Sequence, residues 1–328
     1  MDRPRRRSAA AVACFAASLA AGLALAADAP APIRALNWVA PGADLTRAIA
    51  TQPTECLAKS RDPATARKVE IGRAAFRTPV LLGGQAARAG LACETCHRDG
   101  RDNPDFHFPG ISGAPGTADV TQSLFSTHRG DGIDNPKPIP DLSGPKAKLK
   151  IDQAPQGRAL ESFIHGLVVE EFDGPEPSPA VLEGLAAYVR ALNAAACPRA
   201  TREPVNVRRL MDDARRAVLA ARDAQSRGDR ATAVLMLASA RTRLGLIDER
   251  FAGAERIVAL RAALIAASAR LGQAQAALRD ADAAADPAAL DRWLADSRQL
   301  EGDLAAAEPG SLFDAKRLQS AMTRRLPA

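Results

Sequence analysis

Cys93-Glu94-Thr95-Cys96-His97 is the stretch of this chain whose residue types and spacing define a chemistry. Two thiols separated by two residues, with an imidazole directly after the second, form the attachment signal of a c-type haem. Each thiol adds across a porphyrin vinyl group, and the histidine takes one axial position on the iron. Two intervening residues let one helical turn present both sulfurs to neighbouring edges of the ring, with the histidine under the metal. A thioredoxin-like redox pair has no need of His97, and a structural zinc would require a second close pair of Cys or His ligands, which the sequence lacks. The expected cofactor is therefore one covalent haem c, with Cys93 and Cys96 as its attachment points and His97 as proximal ligand.

The other axial position must come from elsewhere in the chain. Beyond the initiator, the methionines are Met211, Met236 and Met322, all in the C-terminal part. The histidines other than His97 are His107, His128 and His165, all close to the motif in sequence. This distribution points to bis-His coordination or five-coordinate iron. His165 is the first choice, because Phe163-Ile164-His165-Gly166 sits at the end of an amphipathic segment that can hold a ligand firmly. His107, between Phe106 and Phe108, is the alternative. His128, beside Arg129 and Asp131, reads as a hydrogen-bonded loop histidine.

A haem of this type is attached after export, and the N-terminus fits that route. Arg3, Arg5, Arg6 and Arg7 precede an apolar run from Ser8 to Leu25, and Ala24-Leu25-Ala26 offers a small-x-small cleavage site. Residues 1–26 are expected to be a cleaved signal peptide and the mature chain to be periplasmic, without a transmembrane span. The formal charge of +6 falls to +3 on cleavage, 40 basic against 37 acidic side chains. That balance, with no basic patch interleaved with aromatics, excludes a nucleic-acid partner. Of five cysteines, Cys14 leaves with the signal and two go to haem. Cys56 and Cys197 remain, flanking the haem region, and are expected to form a disulfide.

Aromatic content of 4% is low for a large β-rich core and suits Ala-rich helices, so the expected fold class is mainly α. Residues 27–62 read as an irregular arm interrupted by Pro30, Pro32, Pro41, Pro53 and, at its end, Pro63. Residues 63–198 read as the cytochrome c-type haem domain. Within it, helices are expected at Arg67 to Arg77, briefly at Val120 to Thr127, at Arg158 to Val169, and after the Ser178 N-cap with Pro179 in first helical position. The long Gly- and Pro-rich run from Arg98 to Pro155 suits a domain whose apolar centre is a cofactor. From 199 to 328 the texture turns to Ala, Arg and Leu, with helices at 204–227, 230–250, 254–284, 287–307 and 311–324. The third carries a heptad seam of Ile257, Leu260, Leu264, Ala267, Leu271, Ala274, Leu278 and Ala281, which predicts close antiparallel packing in an α-helical hairpin or bundle domain.

Gly72-Arg73-Ala74-Ala75-Phe76, Pro79-Val80-Leu81 and the haem motif together resemble the opening of a haem domain in the bacterial di-haem cytochrome c peroxidases and the related methylamine-utilisation haem enzymes. Leu160 to Gly166 and the Val181-to-Leu192 helix resemble that family's closing segments. The resemblance covers about residues 64–195. It implies a distal ligand at His165, where the family's electron-transfer domain usually holds methionine, and places His107 roughly where the peroxidatic domain carries its displaceable histidine. The family's peroxidases use two haems in one chain, whereas this sequence has a single Cys-x-x-Cys-His.

These observations lead to an expected function: single-electron transfer through one haem, saturated by two imidazoles, to a redox protein such as another cytochrome, an oxidase or a dehydrogenase. The helical C-terminal part would serve as a protein-interaction surface. The alternative is a cytochrome c peroxidase-like enzyme acting on hydrogen peroxide after loss of the distal ligand, with Glu170, Glu171 or Arg129 as acid/base or charge stabiliser.

Overall fold

The computed structural model of the chain describes residues 33–199, 201–252, 257–280 and 286–323. The expected signal peptide lies outside the described residues, as do Gly253 and Ala281. Among the described residues the fold is mainly helical, 61% helix against 5% strand. Among the described residues no helix is long and apolar enough to cross a membrane.

The arm from residue 33 is short turns followed by β1 (Thr51–Pro53). Helix α1 (Pro63–Phe76) begins four residues before the expected Arg67. The Asp62 side chain accepts from the amides of Ala64 and Thr65 at 3.3 and 2.9 Å, and Pro63 occupies the first turn, where no amide hydrogen is needed. A proline read as a breaker is here a starter. Helix α2 (Gly84–Ala89) is ended by Gly90, whose φ of 76° only glycine adopts freely. It is followed by α3 (Cys93–Cys96), the single turn that carries both thiols.

The expected helix at Val120 to Thr127 is not formed. The Asp119 carboxylate instead accepts from the amides of Thr121 and Asn135, at 3.1 and 3.0 Å, and winds this stretch into turns. Strands β2 (Thr117–Ala118) and β3 (Lys137–Pro138) pair antiparallel on either side of it. Helix α4 (Ala159–Gly166) passes into a wider π-type turn over Leu167–Glu171. Helix α5 (Pro179–Ala191) starts as expected, with Ser178 Oγ accepting from the Val181 amide at 3.2 Å. Its stripe of Val181, Leu185, Tyr188, Val189 and Leu192 is buried.

Strand β4 (Arg202–Pro204) pairs antiparallel with β1, and Cys56 and Cys197 lie at disulfide distance with Cα atoms 5.3 Å apart. A cross-link spanning 141 residues would restrict the unfolded chain by about 5 kcal/mol in the loop-entropy model.

Four long helices follow: α6 (Val207–Ser226), α7 (Arg230–Arg250), α8 (Val258–Arg279) and α9 (Pro287–Ala307). Asn206 and Asp229 cap α6 and α7 through the amides of Arg209 and Thr232. Each helix packs on the next, and α9 closes on α6. Arg261 at the start of α8 ion-pairs with Asp248 at the end of α7, while Arg222 late in α6 meets Asp291 early in α9. Both pairs of neighbours therefore run antiparallel, giving an up-and-down four-helix bundle. The α8 seam buries Leu264, Ala267, Leu271 and Leu278. At 22 residues α8 is about 33 Å long, shorter than the 254–284 span implied. Helix α10 (Ala315–Thr323) ends the described chain. Met211 and Met236 are fully buried within the bundle.

The two halves share one core. Helix α1 packs against α5, α6 and α7, and the buried apolar cluster continues from Val69 to Leu304. The closest approach is between α1 and α5. A Cβ on Gly72 would stand 1.9 Å from the Gly184 carbonyl oxygen, so two glycines let these backbones touch. Gly72→Ala is expected to lower stability by about 1–3 kcal/mol or more, read as a reduced urea midpoint with an unchanged slope. An unchanged midpoint would mean that α1 and α5 do not meet this closely.

Candidate functional site

The Cys-x-x-Cys-His turn is fixed by the two residues between its cysteines. Thr95 Oγ1 accepts from the Ala92 amide at 3.0 Å and caps its own turn, and the Thr95 carbonyl accepts from Asn103 Nδ2 at 2.8 Å. Glu94 points the other way, into an ion pair with Arg77 of the α1 C-terminus at 3.1 Å and with Arg243 of α7 at 3.3 Å. The bundle thus grips the turn directly.

Cys93 and Cys96 are free thiols. Their side chains keep some surface, but burial pushes both up to about 12. A disulfide-exchanging Cys-x-x-Cys requires the reverse, a thiol drawn down towards thiolate. His97 is likewise pushed down to about 4 by burial, against the opposing pull of the Pro140 carbonyl, Asp141 and Asp102. It is neutral at neutral pH. Its Nδ1 lies 3.0 Å from the Pro140 carbonyl oxygen, which fixes the tautomer with hydrogen on Nδ1 and leaves the Nε2 lone pair free. The Phe76 ring stands 6.4 Å from the imidazole, centroid to centroid. Two free thiols on one turn and a neutral, oriented imidazole are the donor set that a covalent haem needs. Among the described residues no three or more His, Cys, Asp or Glu side chains gather as a metal-holding group.

The remaining histidines stand in three different environments. His165, in α4, pairs through Nε2 with the Glu176 carboxylate at 2.9 Å and is about one-third exposed. His107 is half-buried, between the buried Phe106 and Phe108, and its Nδ1 is buried without a hydrogen-bond partner. His128 is largely exposed and pairs with Asp173 at 3.0 Å, as a loop histidine would. Arg129, Glu170 and Glu171 are brought together. Arg129 ion-pairs with both carboxylates, at 2.9 Å to Glu171, where burial raises the pKa against the pull of Arg129.

Beneath the turn lies a charge cluster that the sequence reading missed. Arg77, 2% exposed, meets Glu55 and Asp99 at 2.9 and 2.8 Å as well as Glu94, with Asp213 of α6 at 3.7 Å. Arg209 reaches Asp99 at 2.9 Å, and Tyr188 Oη donates to Glu55 at 2.7 Å. Burial favours protonation of Glu55, but Arg77 and Arg73 outweigh it and hold the carboxyl well below its usual range. One signal was legible: Arg243 stands in the register of buried α7 residues such as Met236, Ala240 and Ile247, where a charge calls for a buried partner.

No family model, curated protein or solved structure matches this chain.

Because Glu55 titrates lower folded than unfolded, its stabilisation is complete above the ordinary value of 4.5 and is lost as pH falls below it. Glu55→Gln is expected to lose about 3–5 kcal/mol at pH 7 and to show a shallower loss of stability than wild type below pH about 4.5, in urea titrations across pH. Parallel pH curves would contradict the assignment.

Proposed function

We propose that this chain is an exported electron-transfer protein of the c-type cytochrome kind, with one haem bound covalently through Cys93 and Cys96 and His97 as axial ligand. The observation that carries the reading is His97: neutral, with Nδ1 engaged by Pro140 and Nε2 left for a metal, directly after two free thiols on the same turn. Haem, when bound, supplies the one-electron chemistry. The protein's part is to hold the porphyrin edge on α3, to fix the ligand tautomer, and to keep the turn rigid through Glu94 and Thr95. The proposal also takes up the resemblance to the haem domains of di-haem peroxidases, and a periplasmic setting in which a Cys56–Cys197 disulfide persists.

For the sixth position we propose a second imidazole. His165 would exchange its Glu176 partner for iron, whereas the unpartnered buried Nδ1 of His107 has no competing bond to give up. Two imidazoles would leave no site for peroxide and set a lower potential than a His/Met pair. The peroxidase reading retains one specific support: Arg129 and the partly unpaired, buried Glu171 lie together as a candidate acid and charge stabiliser.

The test is the absorption spectrum of haem-loaded protein, ferric and ferrous, with carbon monoxide and with hydrogen peroxide. The expected wild type is low-spin and indifferent to both, and either His165→Ala or His107→Ala converts it to a high-spin form that binds carbon monoxide. A wild type that is already high-spin and consumes peroxide would replace this reading with the enzymatic one.

A further inference from the structure

A cavity of about 200 Å³ opens between the N-terminal arm, the haem-motif turn and helix α7, with Trp38, Arg98, Thr242 and Arg250 among its walls. Its acidic lining is already engaged. Glu94 is held by Arg77 and Arg243, and Glu249 by Arg34 at 3.8 Å. Arg98 and Arg250 are different: among the described residues neither forms an ion pair with a carboxylate. Arg98 donates to the carbonyls of Ala48 and Thr51. Arg250, only 6% exposed, donates to the Ile49 and Leu312 carbonyls at 2.7 and 3.1 Å and lies over the Phe313 ring at 5.3 Å.

Carbonyl oxygens satisfy N–H donors but do not cancel a charge, and a buried guanidinium without a counter-charge is costly. Here the buried Arg250 and the half-buried Arg98 repel one another. Burial, then proximity to Arg98, brings Arg250 down to about 10, and burial lowers Arg98 as well. The nearby acids form their ion pairs elsewhere, Asp99 with Arg77 and Arg209 and Asp105 with Arg47, and act on Arg98 only through space. Each guanidinium has five N–H groups, so donors remain beyond the carbonyl bonds.

We propose that this cavity binds a small oxyanion of the phosphate type, bridging the guanidiniums of Arg98 and Arg250. The planar forks of two arginines suit a doubly charged oxyanion with several acceptor oxygens. The site is independent of the haem assignment.

The test uses full-length, haem-free protein melted in sodium phosphate against sodium chloride of equal ionic strength. Phosphate is expected to raise Tm saturably by about 2–4 °C or more, and chloride to leave it unchanged. Arg98→Gln and Arg250→Gln should each abolish the rise. Should either fail to fold, Thr242→Glu decides, since it removes no guanidinium and places a carboxylate in the cavity. It should raise Tm in chloride and cancel the response to phosphate. A phosphate response that survives in Thr242→Glu, or one that chloride reproduces in wild type, would overturn the proposal.

Discussion

A guanidinium taken out of water is costly to bury unless carboxylates offset its charge, and Arg77 collects them from separate parts of the chain. Glu55 comes from the arm, Glu94 from the Cys-x-x-Cys-His turn, Asp99 from just beyond it and Asp213 from α6. Removing any one partner would leave buried charge uncompensated, so the cluster ties these segments into a single arrangement. Hydrophobic burial alone would not do this. The α1–α5 contact and the α6–α9 bundle could each slide by a turn on apolar faces, but four directional ion pairs on one side chain admit a single register. Asp99 accepts a left-handed backbone, φ 50°, to reach its place in the cluster.

The same cluster connects the bundle to the turn. Arg243 and Arg209, both from helices of the C-terminal half, hold Glu94 and Asp99 on either side of the Cys96-His97 pair. A bundle anchored in this way is part of the support of the turn, in addition to any surface it offers a partner. Its stiffness bears on electron transfer as we propose it, because a ligand imidazole held in one orientation loses little to rearrangement when the charge on a bound metal changes.

Periodicity and caps made much of the fold legible in the sequence. Ser178-Pro179 announces α5, the expected ranges 204–227 and 230–250 put the link between α6 and α7 where it lies, and the Leu/Ala seam of α8 marks its buried face. These are local signals, read within a few residues of the element they specify. What escaped was the work of particular side chains, some of it local and some far apart in sequence. Pro63 was read as a break because its role depends on the Asp62 side chain in front of it. Val120 to Thr127 looked helical until Asp119 was seen to bind its own following amides. The Cys-x-x-Cys-His spacing locates the site, but nothing in the sequence marks the partners of Glu94, Thr95 and Pro140. Thr95 works through Ala92 and Asn103 nearby, whereas Pro140 meets His97 43 residues away and Glu94 meets Arg243 149 residues away, pairings that no pattern in one chain encodes.

The central claim is a covalent bond between the turn at Cys93–Cys96 and haem, and the most direct test is the intact mass of the protein expressed with haem-maturation machinery, under denaturing conditions. The account predicts the mass of the chain plus one haem, lost in the Cys93→Ala/Cys96→Ala double variant and still present in His97→Ala only as a thioether adduct without its native spectrum. A wild-type mass without haem, under conditions that load other c-type proteins in the same cells, would contradict it.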